Sequence, residues 1–179
     1  MSTIDDYILI KDFPISNIFR EHEKNLINKF KKDKIDRTGL NSSGYNTPYG
    51  DLEFDYIIGN KFSNIVNTTF HVGMARKPII TWVYAQNNKH SSENWHSHIN
   101  SSTINAVSYL NPPKNGGGLQ VKLFDEVKII QPEENKLYLM PYWLEHSPQP
   151  QEDEEWRICI VLEYFCFERP RMKNKAIIW

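Results

Sequence analysis

The sequence predicts a mainly β protein, a sandwich or jelly roll with one N-terminal helix packed on a sheet. Short apolar segments rich in β-branched and aromatic residues recur at roughly even spacing beyond residue 60. Turn chemistry separates them: Asn87-Asn88, Asn111-Pro112-Pro113 running on to Gly116-Gly117-Gly118, Glu133-Glu134-Asn135, and Pro148 with Pro150. Only one stretch, near the N-terminus, has convincing helical periodicity.

Taken in order, Ile4, Tyr7, Ile8, Leu9 and Ile10 make residues 4–11 a candidate edge strand. Pro14 and Ser16 open a segment in which Ile15, Ile18, Phe19, Leu26, Ile27 and Phe30 share one helical face, with Arg20, Glu21, Glu23 and Lys24 opposite. Residues 1–36 are therefore a strand-and-helix extension. Gly, Ser, Asn and Thr dominate 37–51 around Tyr45 and Tyr49, the composition of an exposed, flexible loop whose length often signals function. The core is expected over 60–170. Its strands are placed at Ile79–Tyr84, Thr103–Leu110, Leu119–Phe124, Val127–Ile130, Leu137–Met140 and Ile158–Phe167.

The chain of 179 residues is long enough to bury a core as a single domain, 1–179. A net charge of -1 leaves no electrostatic footprint for nucleic acid or an anionic membrane surface. The short basic run Lys29 to Lys34 reads as a solvated helix end. Cys159 and Cys166 would point to opposite faces of an extended strand, too far apart to bridge, so reduced thiols are expected. With no apolar run near membrane length and no signal peptide visible, the expectation is a soluble, cytoplasmic protein. A homodimer is compatible with the sequence.

The residues that carry chemistry begin at His96-Ser97-His98. Two imidazoles one residue apart on a strand face the same way and can share a metal ion. His146 lies 48 residues beyond His98, and Arg157 a further 11. Imidazole suits first-row transition metals such as iron, and ligands confined to one face leave coordination positions open. An ordinary reading competes at each position: two surface histidines in a polar loop, a turn histidine beside Pro148, and an arginine balancing the acidic run Glu152 to Glu155. His71 and His90 have no same-face partner, and His22 falls on the polar side of the helix.

Several stretches together resemble a known family. They are Trp95-His96-Ser97-His98, Ala106 to Asn111, Gly116-Gly117-Gly118-Leu119, Ile130-Gln131-Pro132, Leu137 to His146, and Glu155-Trp156-Arg157-Ile158. Their order is similar to the core of the iron(II)/2-oxoglutarate-dependent oxygenases, particularly the prolyl-hydroxylase-like branch with its phage and bacterial members. The resemblance covers less than half the chain. It implies a double-stranded β-helix, iron(II) as cofactor, and 2-oxoglutarate and oxygen as cosubstrates. His96 and His146 match the iron-binding histidines, and Arg157 matches the basic residue that holds the distal carboxylate of 2-oxoglutarate. Tyr109 and Tyr84 are similar to tyrosines that contact the same cosubstrate.

The departure is His98, where most of that family carries a carboxylate. His98 is taken as the third ligand, against two alternatives: an open coordination position, or a carboxylate such as Glu93 or Asp125 recruited from elsewhere. The implied function is a dioxygenase that hydroxylates a C–H bond of a peptidyl or small-molecule substrate. A cupin-type three-His dioxygenase or isomerase that does not use 2-oxoglutarate is one rival, and a non-enzymatic jelly-roll binding module is another. Trp82, Trp95, Tyr142 and Trp143 are candidates for the cavity wall or for plain core.

Overall fold

The computed structural model describes residues 3–22, 24–25, 45–46, 52–70, 80–89, 91–99 and 102–166. In chain order the strands are β1 (Leu9–Asp12), β2 (Tyr45–Asn46), β3 (Ile80–Gln86), β4 (Ile104–Asn111), β5 (Leu119–Leu123), β6 (Glu126–Ile130), β7 (Lys136–Pro141), β8 (Glu145–Pro148) and β9 (Arg157–Tyr164). A helix, α1 (Leu52–Phe70), lies between β2 and β3. One antiparallel sheet runs β1-β7-β4-β9-β3-β2, and a second runs β6-β5-β8. The two sheets pack face to face as the expected jelly roll.

Side-chain alternation divides the large sheet into two chemically different faces. On β9, Ile158, Ile160, Leu162 and Tyr164 point to one side and join Ile104, Ala106, Leu110, Leu137 and Leu139 in a cluster with Phe13, Phe19, Ile58, Phe62 and Val66. That face carries the helices. The opposite parity of β4, β7 and β9 presents Val107, Tyr109, Tyr138, Met140 and Cys159, which meet Leu119, Val121 and Leu123 of β5. Cys159 belongs to this inter-sheet cluster while Cys166 packs on the helical face, so the two thiols lie on opposite sides of the sheet. Ile160→Val, on the helix-packed face, should cost roughly 0.5–1.5 kcal/mol. The same change at Ile129, 52% exposed on β6, should cost nothing measurable, and chemical denaturation of both variants checks the parity.

Several local expectations change. The first apolar segment splits into a 3-10 turn, Ile4–Asp6, and a shorter strand β1, which pairs with β7 at the sheet edge. Helical geometry is present at 17–22 and 24–25, and the rest of the expected helix lies outside the described residues. Arg20 is not on a solvated face. It is buried, donates to the Leu110 and Ile15 carbonyls and to Asn135 Oδ1, and pairs with Glu134 at 2.8 Å. This clasp ties the helical segment to the ends of β4 and β7. Of the expected 37–51 loop, residues 45–46 form β2; the others lie outside the described residues, as do His71 and His90.

Helix α1 was not expected. Its buried residues Ile58, Phe62, Val66 and Phe70 recur every four positions, which is a helical stripe. β-branched residues and Gly59 lower the intrinsic helix propensity here, so packing on the sheet, rather than composition, stabilises the segment. No helix among the described residues is long and apolar enough to cross a membrane.

Candidate metal centre

Histidine 96 does not lie in a regular strand; it forms an isolated antiparallel bridge with His146. The two backbones exchange hydrogen bonds of 3.0 Å in each direction, so their side chains emerge side by side. Segment 91–99 thereby borders the small sheet beyond β8. Further bonds stitch it down: Asn94 N donates to Ser147 Oγ at 2.7 Å, Gln120 Nε2 to Glu93 Oε1 at 2.8 Å, and His98 N to the Tyr142 carbonyl at 2.7 Å. On β8, His146 is opposite Val121, which fixes its side chain toward the inter-sheet interior.

The three expected ligands come together. One ring nitrogen from each of His96, His98 and His146 lies within 4.8 Å of the others, and His98 and His146 are stacked with 5° between their planes. Nδ1 of His96 faces the Asn94 carbonyl at 2.8 Å, and Nδ1 of His146 faces the Leu144 carbonyl at 3.1 Å. A carbonyl can only accept, so each ring carries its proton on Nδ1 and presents the Nε2 lone pair. The third ring leans on a side chain, with Nδ1 of His98 bonded to Oε1 of Glu163. Partners of this kind orient metal-binding imidazoles.

Burial holds His96 below the usual imidazole range, opposed by the Asn94 carbonyl. His146 is held well below it, first by burial and then by the neighbouring His96 and His98. Both are therefore neutral ligands at neutral pH. In the unfolded chain they return to a pKa of about 6.5, so the unfolded state binds more protons as pH falls below that value. The metal-free protein should hold constant stability above about pH 7 and lose it as pH drops through about 6.5. Urea midpoints across that window check the sign, and a flat profile contradicts it.

At the other end of the inner face, β9 pairs Cys159 with Tyr84 of β3 and with Tyr109 of β4, so the three form one row. Tyr109 is 3% exposed, and burial raises its hydroxyl pKa far above the ordinary value. Tyr84 is half-buried, and its hydroxyl accepts from Gln86 Nε2 at 2.8 Å. The same burial pushes the Cys159 thiol up to about 11, which leaves it un-ionised and poorly nucleophilic.

Arg157, 2% exposed, opens β9 on this face. Its Nη1 donates to the Gly117 and Gln149 carbonyls, while Nη2 is buried without a hydrogen-bond partner among the described residues. A buried guanidinium donor without an acceptor is costly, and an anion is its natural complement.

The Gly-rich turn sets this arginine. Gly117 has φ +64°, and a Cβ there would approach Pro113 Cβ at 2.8 Å and Gln151 Oε1 at 2.1 Å. Gly117→Ala should therefore destabilise the fold by at least about 1–2 kcal/mol, the cost of a left-handed residue, and displace the carbonyl that steadies Arg157. Denaturant melts and anion binding should worsen together.

Two residues at the site were not anticipated. Glu163 lies on the inner parity of β9, directly opposite Asn105 of β4. Asn105 is 1% exposed, places Nδ2 3.5 Å from His146 Nε2, and leaves Oδ1 buried without a hydrogen-bond partner among the described residues. Glu93 is engaged with Gln120, and Asp125 sits in the exposed β5–β6 turn. Trp143 stacks edge-on against Tyr7 at 5.0 Å and belongs to the inter-sheet packing.

No family profile matches the sequence, and no curated protein matches it. Solved structures do match. A prolyl-4-hydroxylase from Pseudomonas putida superposes with a TM-score of 0.64 at 11% identity, over 92% of this chain and 97% of that one. This chain shares its fold with the 2-oxoglutarate-dependent oxygenases. The carbocyclase SnoK of nogalamycin biosynthesis, a non-haem α-ketoglutarate-dependent enzyme, gives 0.66 at 7% identity, over 94% and 83%. The viral collagen prolyl hydroxylase of Paramecium Bursaria Chlorella virus-1, solved with 2-oxoglutarate, gives 0.56 at 15% identity, over 88% and 94%.

Proposed function

We propose that the protein is an iron(II)- and 2-oxoglutarate-dependent dioxygenase acting on a C–H bond of a peptidyl or small-molecule substrate. The observation that carries this reading is the pairing of two features on one inner face. Three mutually close imidazoles stand at one end, and a buried arginine with a donor unanswered among the described residues stands at the other. Such ligands suit iron, and a guanidinium fork suits a carboxylate.

His96, His98 and His146 would hold the metal, and Arg157 the distal carboxylate of 2-oxoglutarate, with Tyr109 and Tyr84 beside it. Bound there, iron(II) would supply the oxidation: substrate, oxygen and 2-oxoglutarate become hydroxylated substrate, succinate and carbon dioxide. The chain's own part is to keep His96 and His146 neutral, orient their rings through backbone carbonyls, and aim Arg157. Val107, Val161, Leu119 and Tyr109 keep bulk water out of the space between the sheets. In that drier setting the attraction between Arg157 and a carboxylate is stronger than in water.

The all-imidazole set favours a second reading, a three-His dioxygenase without 2-oxoglutarate. Arg157 favours the first reading, because 2-oxoglutarate brings a distal carboxylate for its guanidinium, whereas the second needs a substrate that itself carries an anion. Consumption of 2-oxoglutarate by the iron-loaded protein separates the two. The first reading expects consumption that requires both iron(II) and oxygen and yields one succinate per 2-oxoglutarate. Iron-loaded protein that never consumes 2-oxoglutarate, alone or with a broad peptide and metabolite mixture, contradicts it.

A further inference from the structure

We propose that Glu163 is a positioning residue for the metal centre, supplying through His98 the carboxylate that the ligand set itself lacks. The inference rests on the metal-site reading above and concerns how an all-imidazole face serves in place of two imidazoles and a carboxylate. Glu163 is 3% exposed, on a strand whose other charged residue, Arg157, stands six positions away at the opposite end. An acidic side chain in such a place is costly unless it is paired. Its partner is Nδ1 of His98, itself 7% exposed.

The contrast among the three rings is the argument. His96 and His146 lean on neutral backbone carbonyls, whereas His98 leans on a carboxylate. Hydrogen bonds to ionised acceptors are roughly twice as strong as neutral ones. A carboxylate on Nδ1 fixes the tautomer, locks the ring against rotation and makes Nε2 a more electron-rich donor. Glu163 reaches the site from β9, a strand that contributes none of the three imidazoles, so it braces His98 from the opposite sheet. The negative group is thereby moved one residue outward, from the metal's own ligands to the partner behind one of them.

Cobalt(II), stable in air, is a suitable probe of the intact chain, read by calorimetry and by its visible ligand-field bands. Glu163→Gln should weaken cobalt binding about 10–100-fold, the usual effect of losing an outer partner of a ligand, and shift the bands. His98→Asp moves the carboxylate inward, so the pair His98→Asp/Glu163→Gln should bind cobalt within a few-fold of the parent. That rescue is what a merely structural glutamate would not give. The inference is overturned if Glu163→Gln binds like the parent, or if it weakens binding equally in the His98→Asp background. Where the single variant does not fold, the double variant decides alone: metal binding supports the inference, and its loss overturns it. A parent that takes up no metal overturns the metal-site reading itself, a different failure.

Discussion

Arg157→Ala is expected to abolish 2-oxoglutarate binding at concentrations that saturate the parent, while iron binding survives. The guanidinium is buried, so its replacement removes the whole counter-charge of the pocket rather than a screened surface charge. Truncating one partner of a buried charged pair costs about 2–5 kcal/mol, equivalent to roughly 30-fold to several thousand-fold in affinity. The variant also leaves the Gly117 and Gln149 carbonyls without their donor, at about 1–3 kcal/mol each unless water enters. Stability should fall as well, and a melt distinguishes the two losses. Arg157→Lys is the sharper control. It retains the charge but loses the fork that grips two carbonyls and still offers Nη2 to an anion. An intermediate affinity with near-parental iron content is the expected result. Titration of iron-loaded variants with 2-oxoglutarate measures both.

His146→Ala should have the opposite signature: iron is lost first, and 2-oxoglutarate binding through the metal goes with it. Its ring is 5% exposed and held between the His96 bridge and β5. The loss of affinity should exceed the roughly 10–100-fold typical of outer partners. Fold stability without metal should fall at pH 7.5, where a buried ring and its bond to the Leu144 carbonyl are lost, and fall less at pH 5.5. Burial opposes the charged form of this imidazole, and removing it removes that penalty at acid pH. Metal content after anaerobic loading, measured beside the urea midpoint at pH 5.5 and 7.5, checks both halves.

Much of this architecture was legible in the sequence, and the reason is periodicity. Strands β3 to β7 and β9 fall within a few residues of the apolar segments that mark them, because alternation and turn residues specify both register and ends. Alternation also put Arg157, Cys159 and Val161 on the inner face, which the inter-sheet packing bears out for Cys159 and Val161. Helix α1 was illegible because its β-branched and aromatic residues read as strand when counted by type. The four-residue stripe Ile58, Phe62, Val66, Phe70 was the signal that outweighed composition. His96 and His98 are near each other for a reason that strand geometry only approximates. A single bridge to His146 fixes His96, and a bond to the Tyr142 carbonyl fixes His98.

Glu163 was legible in principle. It continues the parity of Arg157, Cys159 and Val161, so an acid was due on a buried face and needed a partner. What the sequence could not supply was the partner's identity, since His98 lies 65 positions away and meets it only after the sheets close. Arg20 carried the same lesson: helical position suggested solvent, while its acceptors, Leu110, Asn135 and Glu134, are distant in sequence.

The central claim, that one inner face binds iron(II) at the three imidazoles and 2-oxoglutarate between them and Arg157, has a direct optical test. Anaerobic addition of 2-oxoglutarate to the iron(II)-loaded protein should produce a saturable charge-transfer band in the visible. That band should be missing from Arg157→Ala at concentrations that saturate the parent, and from His146→Ala at any concentration. Stoichiometric iron with no visible band at any 2-oxoglutarate concentration would contradict the account.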